Sequence, residues 1–534
     1  MLAAHLALVL VTQSPTGPTD LTNPIPTASD GFGSAVAIEG DLAVVGARDD
    51  VGSATAAYGP GTVTVFRRIA GAWSQEARLT ASDGATRDAF GASVAVDRRA
   101  NGRDVIVVGA PGRGSGSFDS PGSAYVFERG PGGAWFERAR FDGDPTRERF
   151  GWDVAVEDGV AAIGQPDFIG TVHLVERTPS AQWTSTGAAS RPATVFDGAE
   201  FGEAVAMDGP LLVVGAPGED AQSYDSGATY VYRRGPSGSH ALESRLEHPS
   251  AFVVTYHGHD VAVDVDGGVE RIAVGSLDRR AFVWIRSASG WVDVEELAPF
   301  DGDDEGFGET VAVSGSRVVV GALRRLGASS SSGAAFEFVA NGSGWTPRSL
   351  IVEAAAGGST AFAASLALDG STLLVGAPQA DAPSADSGAA LVYDVDRRLG
   401  KAYCVGRPGS SGATATLVPH GSVDAAADDL AFDVFGMPAG TYGYLLASGS
   451  RDQVPGLGGG FGDLCLGGPI SRIISAAGNA DGSGRRTFAV PSAGLPPSLS
   501  FTPGTRLAFQ YWFRDADGGV PSTNTTHAVE LVFE

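Results

Sequence analysis

Short apolar runs, several alternating strictly between apolar and polar positions, recur along most of the chain and predict β-strands. A Phe-Gly pair followed by a Val/Ala-rich run stands at Phe32-Gly33, Phe90-Gly91, Phe150-Gly151, Phe201-Gly202 and Phe307-Gly308. Two weaker copies, His257-Gly258 and Phe362-Ala363, complete a set of seven. Each copy is answered by a second apolar strand that ends in Gly-Ala-Pro or a variant, such as Gly109-Ala110-Pro111 or Gly376-Ala377-Pro378. The glycine-to-glycine spacing is 13 in five copies, which suits a tight hairpin, and the turns carry pairs such as Asp158-Gly159 that tolerate positive φ. A polar loop then leads to a third, alternating strand. A fourth strand, often opened by tryptophan (Trp73, Trp135, Trp183, Trp291, Trp345), runs through an acidic loop into the next Phe-Gly.

Four antiparallel strands, repeated seven times, predict sheets arranged radially about an axis, a layout that protects their edges. The expected fold class is all-β: a seven-bladed β-propeller over residues 20–398, followed by a small C-terminal β-sandwich over 401–534, where the repeat has stopped but alternating segments continue. The seventh repeat lacks a tryptophan-type fourth strand. Residues 20–29 read like the end of another repeat's fourth strand, so they are expected to close the last blade. Leu2 to Val11 has the length of a signal-peptide apolar region without a basic segment before it. Residues 1–19 are read as an export segment, with a buried strand as the alternative.

Composition narrows the function. With 43% apolar residues the chain is not disordered, and its 76 glycines follow no collagen period. The net charge of −25, with Lys401 the single lysine, argues against nucleic acid or anionic lipid and favours cations or basic partners. No apolar run is long enough to span a membrane as a helix. Cys404 and Cys465 both fall in the C-terminal domain and are expected to form a disulfide if the protein is exported; two free core thiols are the alternative.

The repeated motif resembles the FG-GAP repeat propellers, which include the integrin α-subunit head, and is most similar to their bacterial form. The resemblance covers roughly residues 21–396. It implies a seven-bladed propeller used for adhesion or ligand binding, and leaves the ligand open. Strand order places the loops joining strand four to strand one, and strand two to strand three, at one end of such a fold. That end is expected to be an acidic binding face that includes Asp83, Asp142, Asp144, Asp220, Asp225, Asp301, Asp303, Asp381 and Asp386. The opposite end carries Arg67, Arg129, Arg177, Arg233 and Arg286 at or after strand three. Charge segregation is the argument for function; solvated charge chosen for solubility is the alternative.

Propellers of this family often bind calcium in the hairpin between strands one and two. The hairpins that could host such a site offer Asp264, Asp266 and Glu270, or Asp97, Asn101 and Asp104. Both are shorter than the family loop, so ordinary acidic turns are the preferred reading and a weak calcium site the alternative. His257-Gly-His259-Asp260 is read as repeat drift rather than a transition-metal site, since His257 takes the place of a packing phenylalanine. No P-loop, H-E-x-x-H motif or nucleophile is present, and no catalytic residue is assigned. The expected function is a non-enzymatic secreted or cell-surface binding or adhesion protein with an extracellular protein or polysaccharide partner. A hydrolase using carboxylates in the propeller funnel, or a structural spacer, stands as the alternative.

Overall fold

The computed structural model describes residues 19–532 apart from internal segments, the longest being 51–58, 326–332, 353–359, 404–414, 421–429 and 455–463. The described residues are all-β, without a helix, and seven of their sheets are four-stranded and antiparallel. The first sheet sets the pattern: Phe32–Glu39, Leu42–Ala47, Thr62–Ile69 and Ala72–Leu79, each strand paired with the one before. Five further sheets repeat it, starting at Ser93–Asp97, Val154–Glu157, Val205–Asp208, Val261–Asp266 and Asp304–Ser314. The seventh starts at Ser365–Asp369 and takes its fourth strand from the other end of the chain, where Thr19–Leu21 pairs with Ala389–Asp394. The expected N-terminal closure is therefore present, and its pairing is confined to those three residues.

Burial explains the sequence pattern strand by strand. Second strands such as Val105–Ala110 and Leu211–Ala216 are buried on both faces and read as unbroken apolar runs. Outer strands such as Trp135–Asp142 alternate, because one face meets solvent. Between each sheet and the next lies a hydrophobic core, seven in all, and the last sets Leu374, Ala390 and Val392 of the seventh sheet against Phe32, Val36 and Val45 of the first. The Phe-Gly phenylalanines lie in these seams, edge-on to aromatics of their own third strands, as with Phe90 on Tyr125 at 5.3 Å and Phe307 on Phe336 at 5.2 Å. Their glycines need positive φ, 91° at Gly91 and 94° at Gly202. The partner glycine of each second strand is fixed by close approach: a Cβ on Gly109 would collide with the carbonyl oxygen of Gly151 in the next sheet.

Beyond Lys401 a five-stranded sheet (Lys401–Tyr403, Val520–Val532, Arg506–Asp517, Tyr442–Ser448, Ser471–Asn479) and a three-stranded sheet (Thr416–His420, Ala431–Phe435, Arg486–Ala489) feed one core, with Phe432, Phe488, Phe509 and Tyr511 at its centre. Cys465 is buried on Leu464–Gly467, and its backbone N–H donates to Gln510 Oε1 at 2.9 Å. Cys404 lies outside the described residues.

Candidate functional site

The first strands of the seven sheets stand side by side around an axis, each beside the next, and Ser365–Asp369 returns to Phe32–Glu39. Two belts of hydrogen bonds tie them together. In one belt, the third residue after the Phe position reaches the next sheet: Ser93 to Gly151 O at 3.1 Å, Thr310 to Ala363 O at 2.8 Å, and Ser365 to Gly33 O at 2.9 Å. Asp153 and Asp260 hold the same position and accept instead, from Val205 N–H and Val311 N–H, each at 2.7 Å. In the other belt, hairpin side chains accept from the next hairpin: Glu39 from Arg98 N–H at 2.7 Å, Asp208 from Val265 N–H at 2.6 Å, and Asp369 from Gly40 N–H at 2.5 Å.

This axial setting shifts its carboxyls. Burial pushes Asp153 up to about 6 and Asp260 to about 7, the second helped by the charge of Asp153. Glu203, one residue nearer the Phe position, is driven to about 8 by burial and then by Glu200, against the opposing pull of Arg149. At the hairpin end burial raises Glu157 to about 8, with Asp208 and Asp97 adding to it, and Glu39 to about 7.

The expected segregation of charge does not hold. At the presumed basic end the arginines are engaged by glutamates that clasp neighbouring sheets. Glu76 accepts from Arg67, from Arg129 Nε at 2.6 Å and from Trp135 Nε1 at 2.9 Å, the last two belonging to the second sheet. Glu128 takes Arg177 and Trp183 of the third sheet, and Glu243 takes Arg233 together with Arg286 and Trp291 of the fifth. Arg233 also holds Glu270 through two bonds of 2.9 and 2.6 Å. In three of the five fourth strands opened by tryptophan, at Trp135, Trp183 and Trp291, the indole N–H meets the preceding sheet's glutamate, while Trp345 reaches Glu295 through its backbone N–H.

The acidic end carries arginines of its own. Asp83 accepts from Arg113, Arg140 and the Tyr125 hydroxyl; burial opposes its charge, but these partners together hold the carboxyl below its ordinary range. Asp142 takes Ser123 Oγ at 2.7 Å and Arg140 at 2.8 Å, and Asp144 caps its own turn through Thr146. Asp220 accepts from the backbone N–H of Asp225, and Asp225 is reached by the Tyr256 hydroxyl at 3.3 Å. Asp386 sits in a positive-φ turn (51°). Asp301, Asp303 and Asp381 lie outside the described residues.

Exposed apolar side chains stand among these carboxylates. Phe168 and Tyr224 are each 72% exposed, and Ile169, Phe196, Val254 and Leu277 are exposed with them. All six stand in the loops of the third, fourth and fifth sheets that open at this end. The rings of Phe196 and Phe168 flank Gly198, whose N–H donates to Phe168 O at 2.6 Å. Sequence reading missed this cluster, because an exposed phenylalanine looks like a core one until its loop is placed.

The hairpin Val261–Asp266 and Val269–Ser276 does not gather Asp264, Asp266 and Glu270. Asp264 pairs across from Arg271 while Glu270 pairs across from Val265, so two of the carboxylates point to one face and the third to the other. Asp264 is bound to Arg271 at 3.3 Å and to Gly315 N–H at 3.0 Å. Among the described residues no three His, Cys, Asp or Glu side chains are grouped to hold a metal ion. His257 is fully buried in the seam between the fourth and fifth sheets, whereas His259 is half-buried, so the two imidazoles share no site.

A family model described as FG-GAP repeat matches residues 21–63, 73–127, 195–232, 291–338 and 345–393. The repeats it passes over are those opening at Phe150 and His257, the two that carry Asp153 and Asp260 on the axis. No curated protein matches this chain.

Proposed function

The chain belongs to the FG-GAP repeat family, and from that premise we propose that its seven four-stranded sheets are the blades of one closed propeller acting as a non-enzymatic binding or adhesion protein. Closure is supported by the core between the seventh and first sheets and by the Ser365 and Asp369 hydrogen bonds that cross the same boundary. The two C-terminal sheets sharing one core support a β-sandwich.

The observation that carries the binding reading is the group of Phe168, Ile169, Phe196, Tyr224, Val254 and Leu277 exposed on one end. Single exposed apolar residues are ordinary, while a patch of them rimmed by polar groups marks an interaction site. Aromatic anchors beside Glu200, Asp220 and Asp225 fit a polypeptide with basic and apolar side chains. Export to the cell exterior is part of the proposal, resting on residues 1–19 and on the placing of the cysteines.

The test is a screen of the immobilised chain against envelope proteins and polysaccharides, with and without calcium, beside a Phe168→Ala/Tyr224→Ala variant of unchanged circular dichroism. A protein partner weakened at least tenfold by the variant supports the reading. A partner held equally by both forms displaces the site, a polysaccharide replaces the partner class, and no partner at all favours a structural spacer. The axial carboxyls Asp153, Glu203 and Asp260 favour a second reading, a hydrolase. Turnover on a glycan and ester panel, abolished by Glu203→Gln, would put that reading first.

A further inference from the structure

Six of the seven repeats place phenylalanine at the head of the first strand, and the fifth places His257 there. Its ring is fully buried, and neither nitrogen has a hydrogen-bond partner. A second buried imidazole, His248 from the end of the fourth sheet, meets it at 5.9 Å between ring centroids, and Phe282 closes the pocket 5.3 Å from His257 and 4.6 Å from His248. Asp278, from a loop of the fifth sheet, has Oδ2 at 3.2 Å from His248 Nε2, and Arg280 Nε lies 3.5 Å beyond on the same carboxylate. Among the described residues, the titratable groups facing His257 are His248 and Asp278, with Arg280 next outward. Phe282 and the backbone of Ser226 and Gly227, whose main chain bridges to His257, also line it.

We propose that His257 is an acid-operated latch: its protonation opens the seam between the fourth and fifth sheets and releases the loop that carries one edge of the exposed apolar face. An imidazolium at His257 would have no acceptor for either N–H in this apolar pocket, while the nearby Asp278 carboxylate is already engaged by His248 and Arg280. Burial, then His248, lowers the pKa of His257 to about 3 against the pull of Asp278, which sets the neutral ring as the state that fits the closed seam. The mechanical link is short. Tyr256 and Thr255 donate their backbone N–H groups to Asp225 O at 3.0 and 3.2 Å, and Leu277 N–H donates to Thr255 O at 2.9 Å, so a displaced His257 carries Val254, Tyr256 and Leu277 with it. Control of binding rests on the binding-face reading given above; the latch itself does not.

Hydrogen exchange tests the latch on the full chain without any partner, which separates it from the fate of the binding reading. Amides of Gly258 and His259, normalised for intrinsic exchange, are compared at pH 7 and about pH 3.5 with their counterparts Gly308 and Glu309 in the sixth sheet. We expect at least a tenfold greater loss of protection at the His257 seam, and its disappearance in His257→Phe, with His257→Leu as a second variant where Phe is too large beside His248. Equal loss at both seams, or a loss that persists in both variants, overturns the latch.

Discussion

The Asp153 carboxylate accepts the backbone N–H of Val205 at 2.7 Å and that of Val154 at 2.9 Å, so one side chain joins the third sheet to the fourth. Asp260 does the same between the fifth and sixth, through Val311 and Val261. Each carboxylate satisfies a donor of the neighbouring sheet that would otherwise sit unpaired near the axis. The cost is confinement of charge close to other charge.

Removing either group therefore exposes both sides of that balance. Asp153→Ala is expected to destabilise the protein by about 1.5–3 kcal/mol, the usual worth of a hydrogen bond to a charged group. Asp260→Ala should behave alike. Because the charge of Asp153 raises Asp260, each single variant also relieves the repulsion between the two, so the double variant should lose more than the sum of the single losses, which urea unfolding measures. A simple sum would mean that the carboxylates act independently, and a smaller loss that they support rather than repel one another.

The sheets were legible because their signals are local: Phe90-Gly91 and the run ending at Gly109 sit within one hairpin, and each residue does one packing task. The axial carboxyls were only half legible. Asp153 and Asp260 occupy a repeat position filled elsewhere by Ala35, Ser93 or Thr310, and nothing nearby in the chain reveals the N–H groups, about 50 residues on, that they meet. The predicted charge segregation failed for the same reason. Arg113 and Arg140 reach Asp83 from 30 and 57 residues away, and no reading of one loop at a time brings them together.

Stability should depend on pH in a direction set by the axis. Glu203 and Glu157 are raised to about 8, Glu39 and Asp260 to about 7, Asp153 to about 6, in every case first by burial. A carboxyl that holds its proton more tightly when folded adds stability that is complete below its ordinary range and disappears as pH rises through its folded value. His257, lowered to about 3, contributes the opposite: full stability above its ordinary 6.5, lost as pH falls toward 3. The melting temperature should then fall between about pH 6 and pH 8.5, and the drop should shrink in Glu203→Gln. A melting temperature that rises over that interval would place these carboxyls in a more solvated axis.

The two cysteines provide a separate check on export. They lie 61 residues apart in the sequence, both within the C-terminal unit, and Cys465 is buried. A bridge over that loop is worth roughly 4 kcal/mol on the chain-entropy account. Non-reducing peptide mapping of protein taken from its native compartment should find Cys404 joined to Cys465. Two alkylatable thiols would remove the bridge and one support for an extracellular location.

Calcium separates a specific site from a diffuse one. Glu270 lies on the opposite strand face from Asp264 and Asp266 and is held by Arg233, while Asp264 is held by Arg271. To coordinate a shared ion the hairpin would have to break these contacts and twist one carboxylate to the other face, which a tight turn at Gly267-Gly268 opposes. A chain of net charge −25 nonetheless repels itself, and any salt shortens the reach of that repulsion. Calcium chloride and sodium chloride at matched ionic strength should therefore raise the melting temperature equally, and Asp266→Ala should leave the calcium response unchanged. An excess with calcium that Asp266→Ala removes would show that the hairpin rearranges to bind the ion and gains stability by mass action.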